Sequence, residues 1–231
     1  MLSLEGIRAG YGRVEVLHEV DLVVPDGSAV ALLGANGAGK TTLLRLAAGL
    51  LRPSAGRIVM DGAVVNHHAT HERAREGVCL IPEGRGIFRQ LTVAENLAMY
   101  ASGRNVDQAI ERAVSAFPVL GERLKQVAGT LSGGQQQMVA VARALIVDAK
   151  FILADELSVG LAPVVVDEIF ATVQTLRDEG RSLLVVEQYV DRALAIADYV
   201  YILHKGRVAF VGEPERARDG DVFSHYLGSV A

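Results

Sequence analysis

The stretch "GANGAGKTT" (residues 34–42) is a glycine-rich segment that ends in a lysine and two threonines. From Gly34 to Thr41 it fits the pattern G-x-x-x-x-G-K-[ST], whose glycines let backbone N–H groups turn inward onto a phosphate. A short apolar run, Val30 to Leu33, precedes the loop, and a pattern with one apolar helical face follows it. A glycine-rich loop between a strand and a helix predicts a cradle for nucleotide phosphates.

The side chains of the loop supply the rest of that cradle. Lys40 can reach the β- and γ-phosphates, and the Thr41 hydroxyl can ligate Mg²⁺. The helix that begins near Thr42 points its positive end at the same anion. The predicted nucleotide-binding residues of this stretch are Gly34, Ala35, Asn36, Gly37, Ala38, Gly39, Lys40, Thr41 and Thr42.

A second acidic motif, "KFILADE" (residues 150–156), complements the loop. Its four apolar residues predict a buried strand that delivers Asp155 to the carboxyl edge of the sheet, where ligands bind in open α/β folds. Asp155 is predicted to hold Mg²⁺ through its water shell, and Glu156 to orient and deprotonate the attacking water. Alone, the pair would read as a solvated strand end; the loop at 34–41 favours the functional interpretation.

Strands alternate with helices along most of the chain. Residues 14–24 and 56–65 read as alternating strands with turn signals beside them, and 77–82 as a buried strand. A helical insertion starts near residue 89, with a capping box at Thr92 and Glu95. The later elements are helix 135–147, strand 150–155, helix 164–178, strand 182–187, helix 190–197 and strand 199–203. This order predicts a parallel, doubly wound sheet.

Composition excludes several classes of protein. The 231 residues carry a net charge of −4 without a Lys/Arg cluster, which argues against nucleic acid as a partner. The single cysteine, Cys79, excludes an internal disulfide framework and fits a reducing cytoplasm. Neither a signal peptide nor an apolar run of the ~20 residues that a membrane span needs is expected. If the protein works at a membrane, another chain must cross it.

The stretch "LSGGQQQM" (residues 131–138) forms a second Ser-Gly-Gly turn before a helix. Ser132 and Gln135 satisfy a capping box, which by itself explains a helix start. Two glycines, Gly133 and Gly134, cost up to ~1 kcal/mol each in a helix relative to alanine. They are expected where the backbone closely approaches another group.

LSGGQ after the first motif and before the second resembles the signature of ABC-transporter ATPase subunits, and the resemblance covers essentially the whole chain. It implies an α/β fold: a P-loop NTPase (RecA-like) core with an antiparallel β subdomain and an inserted helical subdomain. The expected division is one ATPase domain over 1–231, with the core in 1–88 and 146–231 and the helical subdomain at about 89–145. ATP and Mg²⁺ are the implied ligands.

The resemblance also implies a head-to-tail dimer, in which the signature of one subunit faces the ATP of the other. The residues expected to contact the partner's nucleotide are Ser132, Gly133, Gly134 and Gln135. Tyr11 matches the aromatic residue that stacks on adenine, with Val16 nearby, although an ordinary strand-end tyrosine is the alternative. Residues 158–161, "SVGL", match the loop that touches the opposite subunit.

Three positions depart from the family pattern. Glu83 stands where a glutamine usually faces the metal and the attacking water, Leu157 replaces the proline after the catalytic glutamate, and Gln188 replaces a histidine. A glutamine can donate N–H to a phosphate but cannot become cationic. With these departures included, the expected catalytic residues are Glu156, Gln188 and Lys40. The expected metal ligands are Thr41, Glu83 and Asp155.

Several shorter strings resemble the shorter ATPase subunit of branched-chain amino-acid importers, namely "PEGRGIF", "LTVAENL", "GLAP", "VVEQ" and "YLG". The implied partners are a longer homologous ATPase subunit, two transmembrane permease subunits and, indirectly, an extracytoplasmic binding protein. The implied location is the cytoplasmic face of the membrane. A groove between the helical insertion and residues 83–97 would receive a permease helix. Importers of urea and short amides have similar ATPases and are an alternative.

Other classes fit less well. A P-loop kinase would leave LSGG unexplained, and a soluble ABC ATPase that acts on DNA or ribosomes usually carries coiled-coil insertions or two ATPase halves. A non-catalytic ATP-binding regulator stays open because of Gln188. The histidine-rich "HHATH" (67–71) reads as a solvated connector rather than a metal site.

Overall fold

A computed structural model describes residues 1–101, 105–187 and 189–218 of the chain. Its strands are β1 (Leu2–Tyr11), β2 (Val14–Val24), β3 (Ala29–Leu33), β4 (Ala55–Met60), β5 (Ala63–Val64), β6 (Val78–Ile81), β7 (Phe151–Asp155), β8 (Ser182–Val186), β9 (Tyr199–His204) and β10 (Arg207–Gly212). They form a six-stranded sheet in the order β10-β9-β3-β8-β7-β6 and a four-stranded sheet in the order β2-β1-β4-β5.

The larger sheet is parallel from β9 to β6, as the alternation of strands and helices predicts. The edge strand β10 pairs antiparallel with β9, which the sequence analysis did not anticipate. The smaller sheet is antiparallel throughout.

The helices are α1 (Lys40–Ala47), α2 (Thr70–Arg75), α3 (Val93–Ala101), α4 (Val106–Ala116), α5 (Pro118–Gly121), α6 (Gly133–Val147), α7 (Pro163–Asp178), α8 (Val190–Ile196) and α9 (Pro214–Ala217). The helices predicted from the sequence are confirmed, and their ends agree to within about two residues. Pro118 follows the end of α4 at Ala116 and begins the short α5. In the described part of the chain no helix is both long enough and apolar enough to span a bilayer.

The central sheet is buried on both faces. Along β7, Ile152 and Ala154 face the cluster that includes α6 and α7, whereas Phe151 and Leu153 face the cluster that includes α1 and the antiparallel sheet. This two-sided burial is the reason that the strand reads as a continuous apolar run. The carboxyl end of β7 carries Asp155, whose side chain forms a hydrogen bond with Thr41 at the start of α1.

The connector 67–71 before β6 is exposed or partly exposed, as its polar sequence predicts, but a charged residue just after it is buried. Arg73 of α2 is 1% exposed, and its guanidinium donates to Ala47 O at 2.8 Å and to Val65 O at 2.7 Å. His68 pairs with Glu76 at 2.6 Å. Among the described residues, no group of three or more His, Cys, Asp or Glu side chains is placed to hold a metal ion.

Candidate nucleotide site

The loop between β3 and α1 is shaped by its neighbours. Gly34 has φ +153° and Gly39 φ +109°, and both lie against other strands. A methyl group at Gly39 would lie 2.7 Å from Leu17 Cδ2 of β2, and one at Gly34 would collide with the carbonyl oxygen of Leu203 in β9. Only glycine fits both positions. Packing against the two sheets therefore fixes the backbone of the loop.

Lys40 lies inside this loop. It is 7% exposed, and its ammonium donates to the carbonyl oxygens of Gly34 at 2.8 Å and Ala35 at 3.2 Å. Burial lowers the pKa of Lys40, while the carboxylates of Glu156 and Asp155 act in the opposite direction. A buried cation that two loop carbonyls hold at the end of the cradle suits the binding of phosphate.

The loop opens into a cavity of about 420 Å³ that collects residues from distant parts of the chain. Its lining residues are Val16, Asn36, Gly37, Gly39, Lys40, Thr41, Thr42, Glu83 and Glu156. All nine belong to the predicted site. Of the remaining loop residues, Gly34 and Ala35 hold Lys40, and Ala38 is buried, with its carbonyl accepting from the N–H of Gly206 at 3.0 Å.

Asp155 ends β7 beside Thr41. The carboxylate is 3% exposed, and its Oδ1 has no hydrogen-bond partner among the described residues. Burial raises the pKa of Asp155; a hydrogen bond with Thr41 and the charge of Lys40 lower it, whereas Glu156 and Glu83 raise it further. Buried carboxylate oxygens without partners are rare unless they have a functional partner. The oxygens of Asp155, Thr41 and Glu83 are the hard ligands that Mg²⁺ prefers, so these residues fit the metal.

Glu156 has a backbone conformation that is unusual for its residue type. Its φ is +50°, and its N–H donates to Val186 O of β8 at 2.9 Å. A non-glycine residue in this left-handed region costs ~1–2 kcal/mol, and such strain clusters at active sites. The next residue, Leu157, is 1% exposed. Its burial in the core restrains the backbone at the position where the family usually has a proline. The conformation keeps the Glu156 side chain on the cavity.

Tyr11 lies at the end of β1, opposite Val14, and is 44% exposed. It does not belong to the described lining of the cavity. Arg45 of α1 donates to its hydroxyl at 3.2 Å. Stacking on adenine stays a prediction for this residue. Gln188 lies outside the described residues, and its predicted role also stays a prediction.

The signature begins α6 as predicted. Ser132 Oγ accepts from Gln135 N at 3.3 Å, and Gln135 Oε1 accepts from Ser132 N at 3.2 Å, so the capping box is confirmed. These residues do not line the described cavity of their own chain. Their predicted contact with a partner's nucleotide stays a prediction.

The two glycines of the signature meet close neighbours within the chain. A methyl group at Gly134 would lie 2.6 Å from Val165 Cγ1, and one at Gly133 would lie 2.8 Å from Arg85 Nη2. The expectation of a close approach is therefore confirmed, but with groups of the same chain. Sequence reasoning missed Arg85; the "GRG" around it was the available signal.

Comparison with known proteins agrees with this geometry. Residues 17–159 match the family described as "ABC transporter". The chain is 40% identical over 211 residues to the high-affinity branched-chain amino acid transport ATP-binding protein BraG of Pseudomonas aeruginosa, covering 90% of this chain and 91% of that protein. It is 37% identical to the probable branched-chain amino acid transport ATP-binding protein LivF of Archaeoglobus fulgidus, with 96% of each covered. It is also 35% identical to the lipopolysaccharide export system ATP-binding protein LptB of Haemophilus influenzae, covering 99% and 97%.

Solved structures show the same fold. The ADP conformation of an ATP-binding cassette of an ABC transporter superposes with a TM-score of 0.84 at 26% identity, covering 99% of this chain and 98% of the other. The ATP-binding subunit of another ABC transporter gives 0.85 at 27% identity, covering 98% and 96%. The chain belongs to the ABC transporter family and has its P-loop NTPase fold. It is an ATP-binding subunit of the ABC type, an ATPase, and resembles the ATPase subunits of branched-chain amino-acid transporters.

Proposed function

We propose that this chain hydrolyses ATP to drive an importer of branched-chain amino acids. The observation that carries the proposal is the cavity in which Lys40, Thr41, Glu83 and Glu156 meet. The similarity to BraG and LivF over at least nine-tenths of the chain supports the class of transported solute.

The roles of the residues follow from their positions. Lys40 and the N–H groups of the loop bind the phosphates of ATP, the substrate of the reaction. Thr41, Asp155 and Glu83 would hold Mg²⁺, which neutralises phosphate charge when it is bound. Glu156, on the cavity wall, orients a water molecule and takes its proton as that water attacks the γ-phosphorus, while the bond from the γ-phosphorus to the bridging oxygen breaks and ADP leaves. Gln188 is the proposed amide donor to the γ-phosphate.

A second subunit completes the site in this proposal. Helix α6 is 15 residues long and carries no acidic side chain in its first turn. Ser132 and the first N–H groups of this helix therefore form its positive end. These groups lie outside the cavity of their own chain, so we assign them to the ATP of a partner, together with Gln135. The partner is a longer homologous subunit or a second copy of this chain.

The contact with the membrane subunits is assigned to the predicted groove between the helical insertion and residues 83–97. A cavity of about 390 Å³ adjoins the start of this segment at Pro82, and its lining includes Ala48 and Leu50 just after α1, residues 78–80 of β6, and Arg143 of α6. Phe88 lies within this segment and Met99 just after it, and both side chains are about half exposed. A permease helix docked here would place the chain on the cytoplasmic face of the membrane, with the extracytoplasmic binding protein as an indirect partner.

A second candidate function is supported by the similarity to LptB: the ATPase of a lipopolysaccharide export system. Deletion of the coding sequence separates the two. Loss of radiolabelled leucine, isoleucine and valine uptake supports the importer, whereas intact uptake with defective lipopolysaccharide export supports the alternative.

The catalytic proposal is tested by ATP turnover of the purified chain. Glu156→Gln is expected to bind ATP, to elute as a dimer in its presence and to hydrolyse it ~10²–10⁴-fold more slowly, since it loses the general base. Glu168→Gln, at an exposed site on α7, is the matched control and should hydrolyse ATP normally. Equal turnover by Glu156→Gln and wild type would exclude Glu156 as the base.

A further inference from the structure

The loop that carries Glu83 contains a non-glycine residue in an unusual conformation. Arg85 has φ +76° and lies between Gly84 at +79° and Gly86 at +60°. Three successive residues thus have left-handed backbone conformations, which an arginine rarely adopts. Such a conformation persists only where the surrounding contacts hold it, and it occurs often in switch regions.

Those contacts come from the start of α6. Arg85 Nη1 donates to Gln136 Oε1 at 2.7 Å. Gln136 is 5% exposed, and its Nε2 donates to Leu131 O at 3.0 Å and to Gly129 O at 3.3 Å. The amide of Gln136 is thus fixed at both ends, and it transfers any displacement of Arg85 to the residues just before the helix.

The guanidinium also covers the first residue of the helix. A methyl group at Gly133 would lie 2.8 Å from Arg85 Nη2 and 3.5 Å from Cζ. The N-terminus of a helix is its positive end, where a cation is electrostatically unfavourable. An anion bound beside Ser132 would convert this repulsion into attraction, because it would lie next to both positive groups.

A second arginine ties the other side of the loop to the same helix. Arg143 of α6 donates to Gly86 O at 2.6 Å and to Leu80 O at 3.1 Å, and its guanidinium lies 4.6 Å from the ring centroid of Tyr100. The loop is therefore attached to the first turn of α6 through Arg85 and to its third turn through Arg143.

We propose that Arg85 is a positioning residue that couples Glu83 to the first turn of α6. Through it, the half of the chain that faces its own ATP moves together with the half that faces the partner's ATP. This inference rests on the proposed function, because it assigns Glu83 to the cis site and Ser132 to the trans site.

The test compares Arg85→Asn with wild type. Asparagine accepts the left-handed conformation, so the backbone is retained while the guanidinium is lost. Without nucleotide, amide hydrogen exchange in residues 131–136 and 83–86 is expected to be roughly 5-fold faster, as the loss of one stabilising hydrogen bond predicts. With ATP, kcat should fall roughly 10- to 100-fold with KM little changed, and the Hill coefficient should approach 1. Arg57→Asn makes the same charge change at an exposed ion pair with Glu5 and should match wild type.

Gln136→Met breaks the same hydrogen bond from the helix and provides a second route if Arg85→Asn folds poorly. The double variant should lose no more turnover than Gln136→Met alone, because Gln136→Met already removes the connection to Arg85 together with the bonds to Leu131 O and Gly129 O. Unchanged exchange in residues 131–136, whatever the turnover, would overturn the inference, since Arg85 would then act without α6. Normal kcat and cooperativity in Arg85→Asn would also overturn it. If Glu156→Gln hydrolyses ATP normally as well, the proposed function itself fails; if Glu156→Gln is inactive, only the coupling fails.

Discussion

Gly134, the second residue of α6, packs directly against Val165 of α7: a methyl group at Gly134 would lie 2.6 Å from Val165 Cγ1 and 3.1 Å from Cγ2. Val165 is a β-branched residue held in a helix, so it has little rotamer freedom with which to move away. One glycine of the signature therefore has a packing reason that does not involve a nucleotide.

Gly134→Ala is expected to destabilise the protein. Helix propensity alone would favour alanine by up to ~1 kcal/mol, but overpacking against Val165 should cost ~1–3 kcal/mol. Urea unfolding monitored by circular dichroism measures the difference. In the double variant Gly134→Ala/Val165→Ala the clash is absent, and most of the lost stability should return. A single variant more stable than wild type would show that α7 adjusts freely and that the contact is not a constraint.

Asp155→Asn is expected to raise stability while it abolishes ATP hydrolysis. The buried carboxylate has an oxygen without a partner in the described structure, and such a group costs ~1–3 kcal/mol. Removal of its charge should raise the melting temperature by roughly 2–4 °C per kcal/mol for a chain of this size. Asp198→Asn is the contrasting variant, since Asp198 accepts from Ala29 N at 2.8 Å and from Arg177, and its loss should lower stability.

The same carboxylate predicts the pH dependence of that effect. Burial raises the pKa of Asp155 above its ordinary value of 3.8, so the folded state binds the proton more tightly than the unfolded chain does. The loss of folding stability that the charged carboxylate causes is therefore small near pH 3.8. It grows as the pH rises toward the folded-state pKa and is complete above it. The advantage of Asp155→Asn in melting temperature should be larger at pH 8 than at pH 4.5. If the difference in melting temperature between Asp155→Asn and wild type were the same at both pH values, the charge of Asp155 would not be its cause.

The cap at Ser132 separates a structural from a functional role. Ser132→Ala should cost ~1 kcal/mol of stability, whereas Ser132→Asn keeps a good N-cap and should unfold at about the same urea concentration as wild type. Both should lose turnover if the hydroxyl also contacts the partner's γ-phosphate. Asn105 caps α4 by accepting from Asp107 N at 3.0 Å and Gln108 N at 3.3 Å, so Asn105→Ala tests a cap without a proposed catalytic role. Full activity of Ser132→Asn would restrict Ser132 to capping.

Local patterns predicted most of the fold correctly because the strands and helices carry them plainly. The apolar run before Asp155 is β7, and the capping boxes at Thr92 and Ser132 begin α3 and α6. The burial of Arg73, just after the exposed connector, was not predicted, because its guanidinium donates to the backbone carbonyls of Ala47 and Val65, which no local pattern reveals.

The candidate site was predictable where a motif is contiguous. The loop at 34–42 and Glu156 meet in one cavity, and Glu83 was placed there by resemblance rather than by any property of its neighbours. Arg85 escaped prediction because its role depends on a left-handed backbone and on α6, a helix whose N-cap, Ser132, lies far from Arg85 in sequence. Tertiary contacts of this kind are set by the fold as a whole.

In the proposed dimer, the signature of one chain completes the ATP site of another, and a mixture of two inactive variants tests this arrangement. Lys40→Ala lacks the phosphate contact but keeps its signature, and Ser132→Arg blocks its signature but keeps the loop. ATP turnover is measured for each alone and for an equal mixture, at concentrations where the specific activity of wild type rises with concentration.

Half of the dimers in that mixture contain one chain of each kind, and each of these has one intact composite site. We therefore predict little activity for either variant alone and roughly a quarter of wild-type turnover for the mixture. A mixture of Lys40→Ala with Glu156→Gln forms no intact site and should stay inactive. No recovery in the first mixture, with wild type active under the same conditions, would contradict the account, because each chain would then complete its own site.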